Sequence, residues 1–535
     1  MPLTNADLAA QTLQAAGVRH VFGHPGGEVI DFIDALERRG IRFVLTGHEA
    51  AASFMAGAVG RLTGAPGVCL ATLGPGALNL ALGVACAYLD RDPLLAFSAR
   101  TATARIHRSP KQNLSLNDIF APFVKWSVAL DGAGTGRTIN TALQIATTPP
   151  RGPAYLTLPA DVAASPDRPN STGPISPGSP APDDRVFDTI VRALNAAKRP
   201  IGVIGLALDS RHDTEAVRRF FAEAGLPHTT LPQSKGVADE DAPNFLGTVA
   251  HGAGDEAIVE WLRQSDCLLG VGFDPVESAH DWHFRAPLYS LANAPIGFDQ
   301  YQPAAECVGS VSALLERLRP AYRGSSQWTE ADLAGIRRRV AEGMIPSAES
   351  GPAGLAPYHL VHRIRETMPP DTIATTDVGA HKMLMGQAWT TRQPGAFLVS
   401  NGLSAMGYAV PSALAAALTY PDRPVVCVTG DGGFGMMVQE LETARRLGLK
   451  PLFVVLCDRS LAVIKFAQWK RNLLPRGVDF APVDWARVAD GFGAVGLTAT
   501  TLPEVERALS DWLAHRQLTV LAVPVDENLY AGLMY

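Results

Sequence analysis

The sequence predicts an α/β protein with three doubly wound parallel-sheet domains, at residues 1–165, 185–325 and 350–535. Short, continuously apolar segments alternate with amphipathic helical segments, which is the pattern of buried parallel sheets covered by helices on both faces. Two stretches interrupt this alternation. Residues 163–184 are rich in Pro, Ser and Gly and are typical of a linker, and a second boundary, between 322 and 357, includes a charged helical segment.

The composition excludes several classes of protein. Of the 535 residues, 47% are apolar and 18% are charged, and the formal net charge is −6. A disordered chain has low hydrophobicity and high net charge, and a nucleic-acid-binding surface has clustered Lys and Arg, so we expect neither. The 50 Gly and 40 Pro follow no fixed period, which excludes a collagen-like chain.

The sequence also predicts a cytoplasmic location. The first 23 residues lack the basic start and apolar core of a signal peptide, and no run of 18 apolar residues is present to span a membrane. The six cysteines form no CxxC pair, which favours buried thiols in a reducing compartment over a redox or zinc site. We therefore expect no membrane partner.

Each predicted domain contains at least one clear apolar strand. Examples are 66–72, 199–205 and 423–429. Glycine-rich turns, which let backbone approach a ligand closely, are concentrated in the first and third domains. They occur at 22–27, 47–50, 71–77, 375–379 and 400–407.

The sharpest local prediction concerns residues 425–458. Strand, glycine turn, helix and strand follow one another at 425–429, 430–432, 436–446 and 451–456. The order indicates a βαβ unit with two parallel, neighbouring strands, so Asp431 and Asp458 are expected at the same edge of the sheet. Two carboxylates beside a turn that can approach phosphate suit Mg²⁺. Taken alone, however, Gly-Asp-Gly is more often only a turn.

With the other glycine turns, these residues resemble the thiamine-diphosphate enzymes of the acetolactate synthase and pyruvate decarboxylase type. The resemblance extends from Phe22 to about Gly496 and is strongest to the large catalytic subunit of acetolactate synthases. It implies a pyrimidine-binding N-terminal domain, a central domain and a diphosphate-binding C-terminal domain. It also implies thiamine diphosphate and Mg²⁺ as cofactors.

The resemblance assigns the metal ligands and the cofactor contacts. The implied Mg²⁺ ligands are Asp431, Asp458 and the backbone carbonyl of Ser460. The family usually has Asn at the second position, so this chain adds a negative charge there. It also usually has Ser after Gly-Asp-Gly, where this chain has Gly433 and loses a hydroxyl contact. The implied cofactor-binding residues are Gly26, Gly27, Gly74, Asn79, His381, Gly402, Ser404, Met406, Gly430, Gly432, Gly433, Ser460 and Leu461.

Two of the implied roles are chemically specific. Glu49 matches the glutamate that touches the aminopyrimidine ring, where a carboxylic acid exchanges a proton with a ring nitrogen and so activates the cofactor. Without the cofactor motif, Glu49 is simply an acidic residue favoured at a helix N-terminus. Met406 matches the bulky residue that bends the cofactor, although core packing also accounts for it. His381 matches a residue on the diphosphate side, but its usual Gln neighbour is Ala380 here.

The resemblance favours the synthase branch of the family. Gln112 falls on the glutamine of that branch, and Gly27 replaces the acid that pyruvate decarboxylases carry. The paired histidines of the simple decarboxylases are also missing from the region around His107. With fewer proton donors, the donor-derived intermediate is more readily transferred to a second carbonyl than released as an aldehyde. Gln112 would orient the substrate.

Two further positions depart from the biosynthetic synthases. Ala467 replaces a Trp that favours a larger acceptor, and the flavin-binding segments of the central domain are poorly matched, with Gly272 in place of an Arg. We therefore expect FAD to be absent or weakly bound.

The predicted activity is decarboxylation of a 2-oxo acid, pyruvate by family default, with acyl transfer to a carbonyl acceptor. The alternatives are a 2-oxo acid decarboxylase, a C–C bond hydrolase or lyase of the same family, a flavin-dependent oxidase, and a catalytically silent homologue. The resemblance implies a homodimer or a dimer of dimers with sites at the subunit interface. Residues 468–484 are predicted to form a mobile lid, to which the tail at 527–535 would contribute.

Overall fold

A computed structural model describes residues 3–168, 181–278, 284–297 and 301–533. It contains three six-stranded sheets in succession along the chain, and every paired strand in them is parallel. The predicted fold class is therefore confirmed. In the described ranges no helix combines the length and apolar character needed to cross a membrane. Most of the predicted linker, residues 169–180, lies outside the described residues.

The first sheet has the strand order β2-β1-β3-β4-β6-β5. Its strands are β1 (His20–His24), β2 (Arg42–Leu45), β3 (Gly67–Ala71), β4 (Leu94–Arg100), β5 (Trp126–Ala129) and β6 (Pro153–Pro159). Its helices are α1 (Asn5–Ala15), α2 (Ile30–Arg38), α3 (Glu49–Thr63), α4 (Pro75–Leu89), α5 (Leu116–Phe120), α6 (Thr135–Thr147) and α7 (Ala160–Ala164). Every residue of β3 and β6 is buried, as expected for central strands between two helical layers.

The second sheet has the order β12-β11-β10-β7-β8-β9. Its strands are β7 (Pro200–Ile204), β8 (His228–Thr230), β9 (Phe245–Thr248), β10 (Cys267–Val271), β11 (Leu288–Ala292) and β12 (Ala305–Val308). The helices of this part are α8 (Asp184–Ala196), α9 (Ser210–Ala224), α10 (Asp255–Gln264), α11 (Val311–Ala321) and α12 (Glu330–Met344). The last of these is the charged helix predicted at the second boundary.

The third sheet follows a short hairpin and has the order β16-β15-β17-β18-β20-β19. The hairpin and the sheet contain β13 (Ser350–Gly351), β14 (Gly354–Leu355), β15 (Ile373–Thr376), β16 (Phe397–Val399), β17 (Val425–Gly430), β18 (Leu452–Cys457), β19 (Val495–Thr498) and β20 (Thr519–Pro524). The helices are α13 (Pro357–Thr367), α14 (Ala380–Ala388), α15 (Ala409–Thr419), α16 (Asp431–Met437), α17 (Glu440–Arg446), α18 (Ala462–Lys470), α19 (Trp485–Phe492) and α20 (Leu502–His515).

The βαβ prediction is confirmed in its strands, because β17 and β18 are parallel neighbours. The helical part differs from the single helix predicted at 436–446. It begins at Asp431 and is divided into α16 and α17. Three of the seven residues of α16 are glycines, which give this segment a low intrinsic helix propensity. For this reason the sequence did not predict a helix there.

The contacts divide the chain into two compact units, and both have extensive apolar cores. One unit contains the first sheet together with Gly402–Pro421 and Met437–Leu449, so α15 and α17 belong to it. The other contains the second and third sheets. A core cluster of the first unit lies around β1, β3, β4 and β6. In the second unit, one continuous cluster includes residues of both sheets and of α10, α12 and α13.

Candidate active site

Glu49 is the first residue of α3, where the chain leaves β2 through a tight turn. His48 caps the helix, because its Nδ1 accepts the N–H of Ala50 at 3.0 Å. The Glu49 side chain is buried, with 9% of the residue exposed. The structure therefore places the predicted carboxylate at a helix N-terminus, where the dipole favours its negative charge.

Two neighbours of Glu49 lie in α4, and one of them, Asn79, was predicted from the sequence. Asn79 donates a hydrogen bond from Nδ2 to Glu49 Oε2 at 2.9 Å. A Cβ atom at Gly76 would lie 3.0 Å from Glu49 Oε1 and 2.8 Å from Cγ2 of Thr72, so a glycine is needed for this close approach. The carboxylate is thus held by an amide donor and by tight packing.

Gln112 and Gly74 are also brought together. A Cβ atom on Gly74, which has a φ of +63°, would lie 3.2 Å from the Cβ of Gln112. Gln112 itself has a φ of 57°, an unusual backbone conformation for a non-glycine residue. Strained backbone of this kind is frequent at functional sites. The predicted substrate-orienting residue therefore lies against the turn that begins α4.

Gly26 and Gly27 differ in their surroundings. A Cβ on Gly26 would lie 2.4 Å from Oγ1 of Thr72, whereas a Cβ on Gly27 would have no neighbour within 4 Å. The Thr72 hydroxyl donates to Glu28 at 2.7 Å. Gly26 is therefore required by packing, and Gly27 faces open space where an acidic side chain would fit.

The turn that carries Gly402, Ser404 and Met406 is joined to the end of α4. Asp90 accepts the Gly402 N–H at 2.6 Å, and a Cβ on Gly402 would lie 2.7 Å from that of Leu89. Ser404 has a φ of 55° and is exposed. Met406 is half-buried, so part of its side chain is accessible, and its contact with the cofactor stays a prediction.

In the second unit, Asp431 and Asp458 follow β17 and β18 at the same sheet edge, as predicted. Asp431 accepts the Arg459 N–H at 2.9 Å, and Asp458 accepts the Ser460 N–H at 3.0 Å. Burial raises the pKa of Asp431, and burial together with the Asp431 charge raises the pKa of Asp458 to about 7. A cation would relieve this repulsion and lower both pKa values again.

The segment after Asp458 is held by the lid and the tail. Ser460 Oγ donates to Glu527 at 2.6 Å, and Lys465 forms ion pairs with Glu527 and Asp479. The Leu461 N–H donates to the Val478 carbonyl at 2.7 Å. Glu527, the first residue of the tail, therefore contacts this region, while lid mobility stays a prediction.

His381 lies beside the glycine turn and is fixed by an acidic residue that the sequence analysis missed. Its Nε2 is 3.0 Å from Oδ1 of Asp377, and the Thr429 hydroxyl donates to the same oxygen at 2.8 Å. A Cβ on Gly433 would lie 2.2 Å from the other Asp377 oxygen, and one on Gly430 would lie 3.3 Å from the His381 ring. Asp377 therefore occupies the space that a side chain at position 433 would need.

A cleft of about 850 Å³ opens at this sheet edge. Asp431, Gly432, Cys457 and Arg459 line one part of it, and residues 480–484 of the predicted lid with the adjoining Trp485 line another. The carboxyl ends of parallel strands in open α/β sheets are the usual place for ligands. The cleft is therefore the candidate ligand site of this unit.

Comparison with known families identifies the chain. Models for the N-terminal TPP binding domain, the central domain and the C-terminal TPP binding domain of thiamine pyrophosphate enzymes match residues 3–120, 187–318 and 377–523. The chain belongs to the thiamine pyrophosphate enzyme family. Thiamine pyrophosphate is the same molecule as thiamine diphosphate, so the predicted resemblance is confirmed.

The relatives of this thiamine pyrophosphate enzyme include acetolactate synthases over their whole length. The chain is 32% identical to the catabolic acetolactate synthase of Raoultella terrigena, with 97% of this chain and 95% of that protein covered. It is 29% identical to the acetolactate synthase of Bacillus subtilis (strain 168), with 97% and 93% covered. For the acetolactate synthase isozyme 2 large subunit of Escherichia coli (strain K12), the values are 28%, 98% and 96%.

The residues of the third sheet fit the metal and diphosphate of such an enzyme. Among the described residues, no group of three or more His, Cys, Asp and Glu side chains is placed to bind a metal, so a cation would also need backbone and ligand oxygens. Mg²⁺ is commonly held in this way, by one or two carboxylates and substrate phosphates. The raised pKa of Asp458 is the observation that favours a cation there.

Several residues near the site were missed in the sequence. They are Thr72, Asp90, Asp377, Thr429 and Glu440. Asp377 lies inside the quoted turn at 375–379, so the motif was noticed but the role of its acid was not. The contacts of Asp90 and Glu440 join parts of the chain that are 312 and 393 residues apart, and a single sequence carries no signal for such pairs.

Proposed function

We propose that the protein is a thiamine-diphosphate- and Mg²⁺-dependent enzyme that decarboxylates a 2-oxo acid and transfers the acyl unit to a carbonyl acceptor. The observation that carries this proposal is the buried Glu49 carboxylate, held by Asn79 in a chain of the thiamine pyrophosphate enzyme family. Because several relatives are acetolactate synthases, we expect pyruvate as the donor and acetolactate as the product.

In this proposal the two regions have separate tasks. Asp431, Asp458 and the Ser460 carbonyl would hold Mg²⁺, and His381 and the glycines at 430, 432 and 433 would face the diphosphate. When bound, the cofactor supplies a carbon nucleophile and accepts the electron pair left by loss of CO₂. Glu49 would exchange a proton with the pyrimidine ring.

Substrate handling would fall to residues around α4. Gln112 would orient the 2-oxo acid from its place against Gly74, and the bulk of Met406 would support the cofactor. Because Gly27 has no side chain, it contributes no proton donor to the open space around it. A site with fewer acids protonates the donor-derived intermediate more slowly, which favours transfer to an acceptor carbonyl over release of an aldehyde.

We further propose that the active assembly is a homodimer or a dimer of dimers, in which Glu49 of one subunit serves the cofactor held by another. A regulatory subunit is a further partner to test, because one relative is named as a large subunit. FAD is expected to be absent or weakly bound, and the absorption spectrum of the purified protein would show whether it is present.

The test uses the full-length protein with thiamine diphosphate, Mg²⁺ and a panel of 2-oxo acids, and it measures CO₂ and the carbon product. We expect CO₂ and acetolactate from pyruvate, and no turnover when Mg²⁺ is removed with a chelator. Acetaldehyde as the main product would favour the decarboxylase alternative. Absence of CO₂ from every 2-oxo acid tested would contradict the proposal.

A further inference from the structure

Glu440, the first residue of α17, is a fully buried acid that the proposed mechanism does not use. Both of its carboxylate oxygens accept backbone N–H groups of the turn between β2 and α3. The Gly47 N–H donates to Oε2 and the His48 N–H donates to Oε1, each at 3.1 Å. The Thr443 hydroxyl donates to Oε2 at 2.7 Å. The next residue after this turn is Glu49.

Two other contacts hold the same turn against α17. A Cβ atom on Gly47 would lie 2.7 Å from Cγ of Gln439, so only a glycine allows the turn to come this close. Arg446 donates from Nη2 to the Leu45 carbonyl at 2.6 Å. The last residue of β2, Leu45, and two residues of the turn, Gly47 and His48, are therefore held by α17.

The chemistry of this contact is specific for a carboxylate. Two N–H groups that point at the two oxygens of one side chain need an acceptor at both positions, and Asp and Glu alone provide it. A glutamine of the same size would place an NH₂ group against one of the two N–H donors. Burying a carboxylate that has only neutral hydrogen-bond donors also costs desolvation free energy. The presence of Glu440 here therefore indicates a role other than packing.

We propose that Glu440 is a positioning residue for Glu49: its carboxylate fixes the turn at Gly47 and His48 and so fixes where the Glu49 carboxylate meets the cofactor. The inference rests on the proposed function, because it assigns Glu49 to the pyrimidine ring. A displacement of a reacting group by about 1 Å can reduce a rate by about 10²-fold, so a small movement of this turn is sufficient for a large effect.

The experiment compares Glu440→Gln with Glu342→Gln, a control of the same chemistry on α12 whose side chain is 64% exposed. The first measurement is amide hydrogen exchange at residues 45–50 in the cofactor-free protein. We expect exchange at Gly47 and His48 to be about tenfold faster or more in Glu440→Gln, because charge-assisted hydrogen bonds are lost. Glu342→Gln should match the wild type.

The second measurement is the exchange rate of the thiazolium ring proton per bound cofactor, which reports activation and not the amount of folded protein. Glu440→Gln should slow it by about 10-fold to 10²-fold. In a Glu49→Gln background the same substitution should have little further effect, because the two residues act in one step. Thr443→Val, which removes one donor to Glu440, should give a smaller loss in the same direction.

The outcomes separate this inference from the proposed function. If the wild type accelerates proton exchange and Glu440→Gln does so equally well per bound cofactor, the positioning role is wrong. Additive effects of Glu440→Gln and Glu49→Gln would also overturn it. If Glu440→Gln does not fold, Thr443→Val decides in the same way. A wild type that does not accelerate the exchange would contradict the proposed function and, with it, the positioning role.

Discussion

The region around Glu49 and the region around Asp431 and Asp458 both bury carboxylates, but they compensate the charge differently. Glu49 has a side-chain amide donor, Asn79, at 2.9 Å. Asp431 and Asp458 accept backbone N–H groups of Arg459 and Ser460, and they also repel each other. Burial and this repulsion raise the pKa of Asp458 to about 7.

This difference indicates two kinds of chemistry. A single carboxylate with a neutral partner can hold or release a proton without disturbing a second charge, which is what a proton-exchanging residue requires. Two adjacent carboxylates gain most from a divalent cation, because the cation removes the repulsion and satisfies the remaining oxygen lone pairs. We therefore propose proton transfer for the first region and cation binding for the second.

The largest expected effect tests the proton-transfer side. Glu49→Gln keeps the size of the side chain and its place at the start of α3 but removes the exchangeable acid. We expect kcat to fall by about 10²-fold to 10⁴-fold, with the thermal unfolding midpoint and the cofactor affinity little changed. Steady-state kinetics at saturating cofactor, together with a cofactor titration, would measure this. Undiminished kcat would show that Glu49 is only a helix-terminal acid.

The second-largest expected effect tests the proposed cation binding by Asp431 and Asp458. Asp458→Ala removes one of the two proposed metal ligands, and we expect Mg²⁺-dependent binding of thiamine diphosphate to weaken by about 10-fold to 10²-fold. Asp458→Asn is the matched variant, because it keeps an oxygen ligand and introduces the residue that the family usually has. Its loss should be clearly smaller. Calorimetric titration at several Mg²⁺ concentrations measures both, and equal affinities in all three proteins would contradict the metal assignment.

A third substitution tests whether the charge-binding region is closely packed. In Gly433→Ala the new Cβ would lie 2.2 Å from the Asp377 carboxylate, which also holds His381 and Thr429. We expect a loss of about 1–3 kcal/mol in the free energy of unfolding, as for overpacked cores, and weaker cofactor binding. Gly491→Ala is the control, since no atom lies within 4 Å of its added Cβ, and denaturant unfolding compares the two. Equal stability would mean that Asp377 moves away freely.

Local patterns in the sequence were sufficient to predict the parallel sheets and the shared sheet edge of two acids. The strand at 425–430 and the one at 452–457 are continuously apolar, and their order fixed Asp431 and Asp458 at one sheet edge. Assigning roles to Glu49, Gln112 and the glycines also required the family resemblance, because each residue type alone has a common structural explanation. The start of α16 was missed because its glycines disfavour a helix in isolation.

The remaining residues depend on contacts between distant parts of the chain. Asp90 and Glu440 each accept backbone N–H groups of residues more than 300 positions away in sequence. The local sequence around either acid does not indicate such a partner. Gly433 is a related case. The sequence shows that this position lacks the hydroxyl of the usual Ser. The reason for the glycine is the nearby Asp377 carboxylate, and its position follows only from the folded structure.

The smallest expected effect concerns His228, which lies outside both regions. Its contribution to the pH dependence of stability has to be separated from that of the site carboxylates. His228 on β8 is buried between the rings of Phe221 and Phe245, and burial lowers its pKa from 6.5 to about 4. The unfolded chain therefore binds one proton more between these pH values, so stability falls as the pH decreases through this range. From pH 7 to pH 5.5 we expect a loss of about 1 kcal/mol from this residue. In His228→Leu that part of the pH dependence should disappear from denaturant unfolding curves, and an unchanged slope would show that His228 is not its source. The raised pKa of Asp458 cannot supply this loss, because it makes stability rise as the pH decreases.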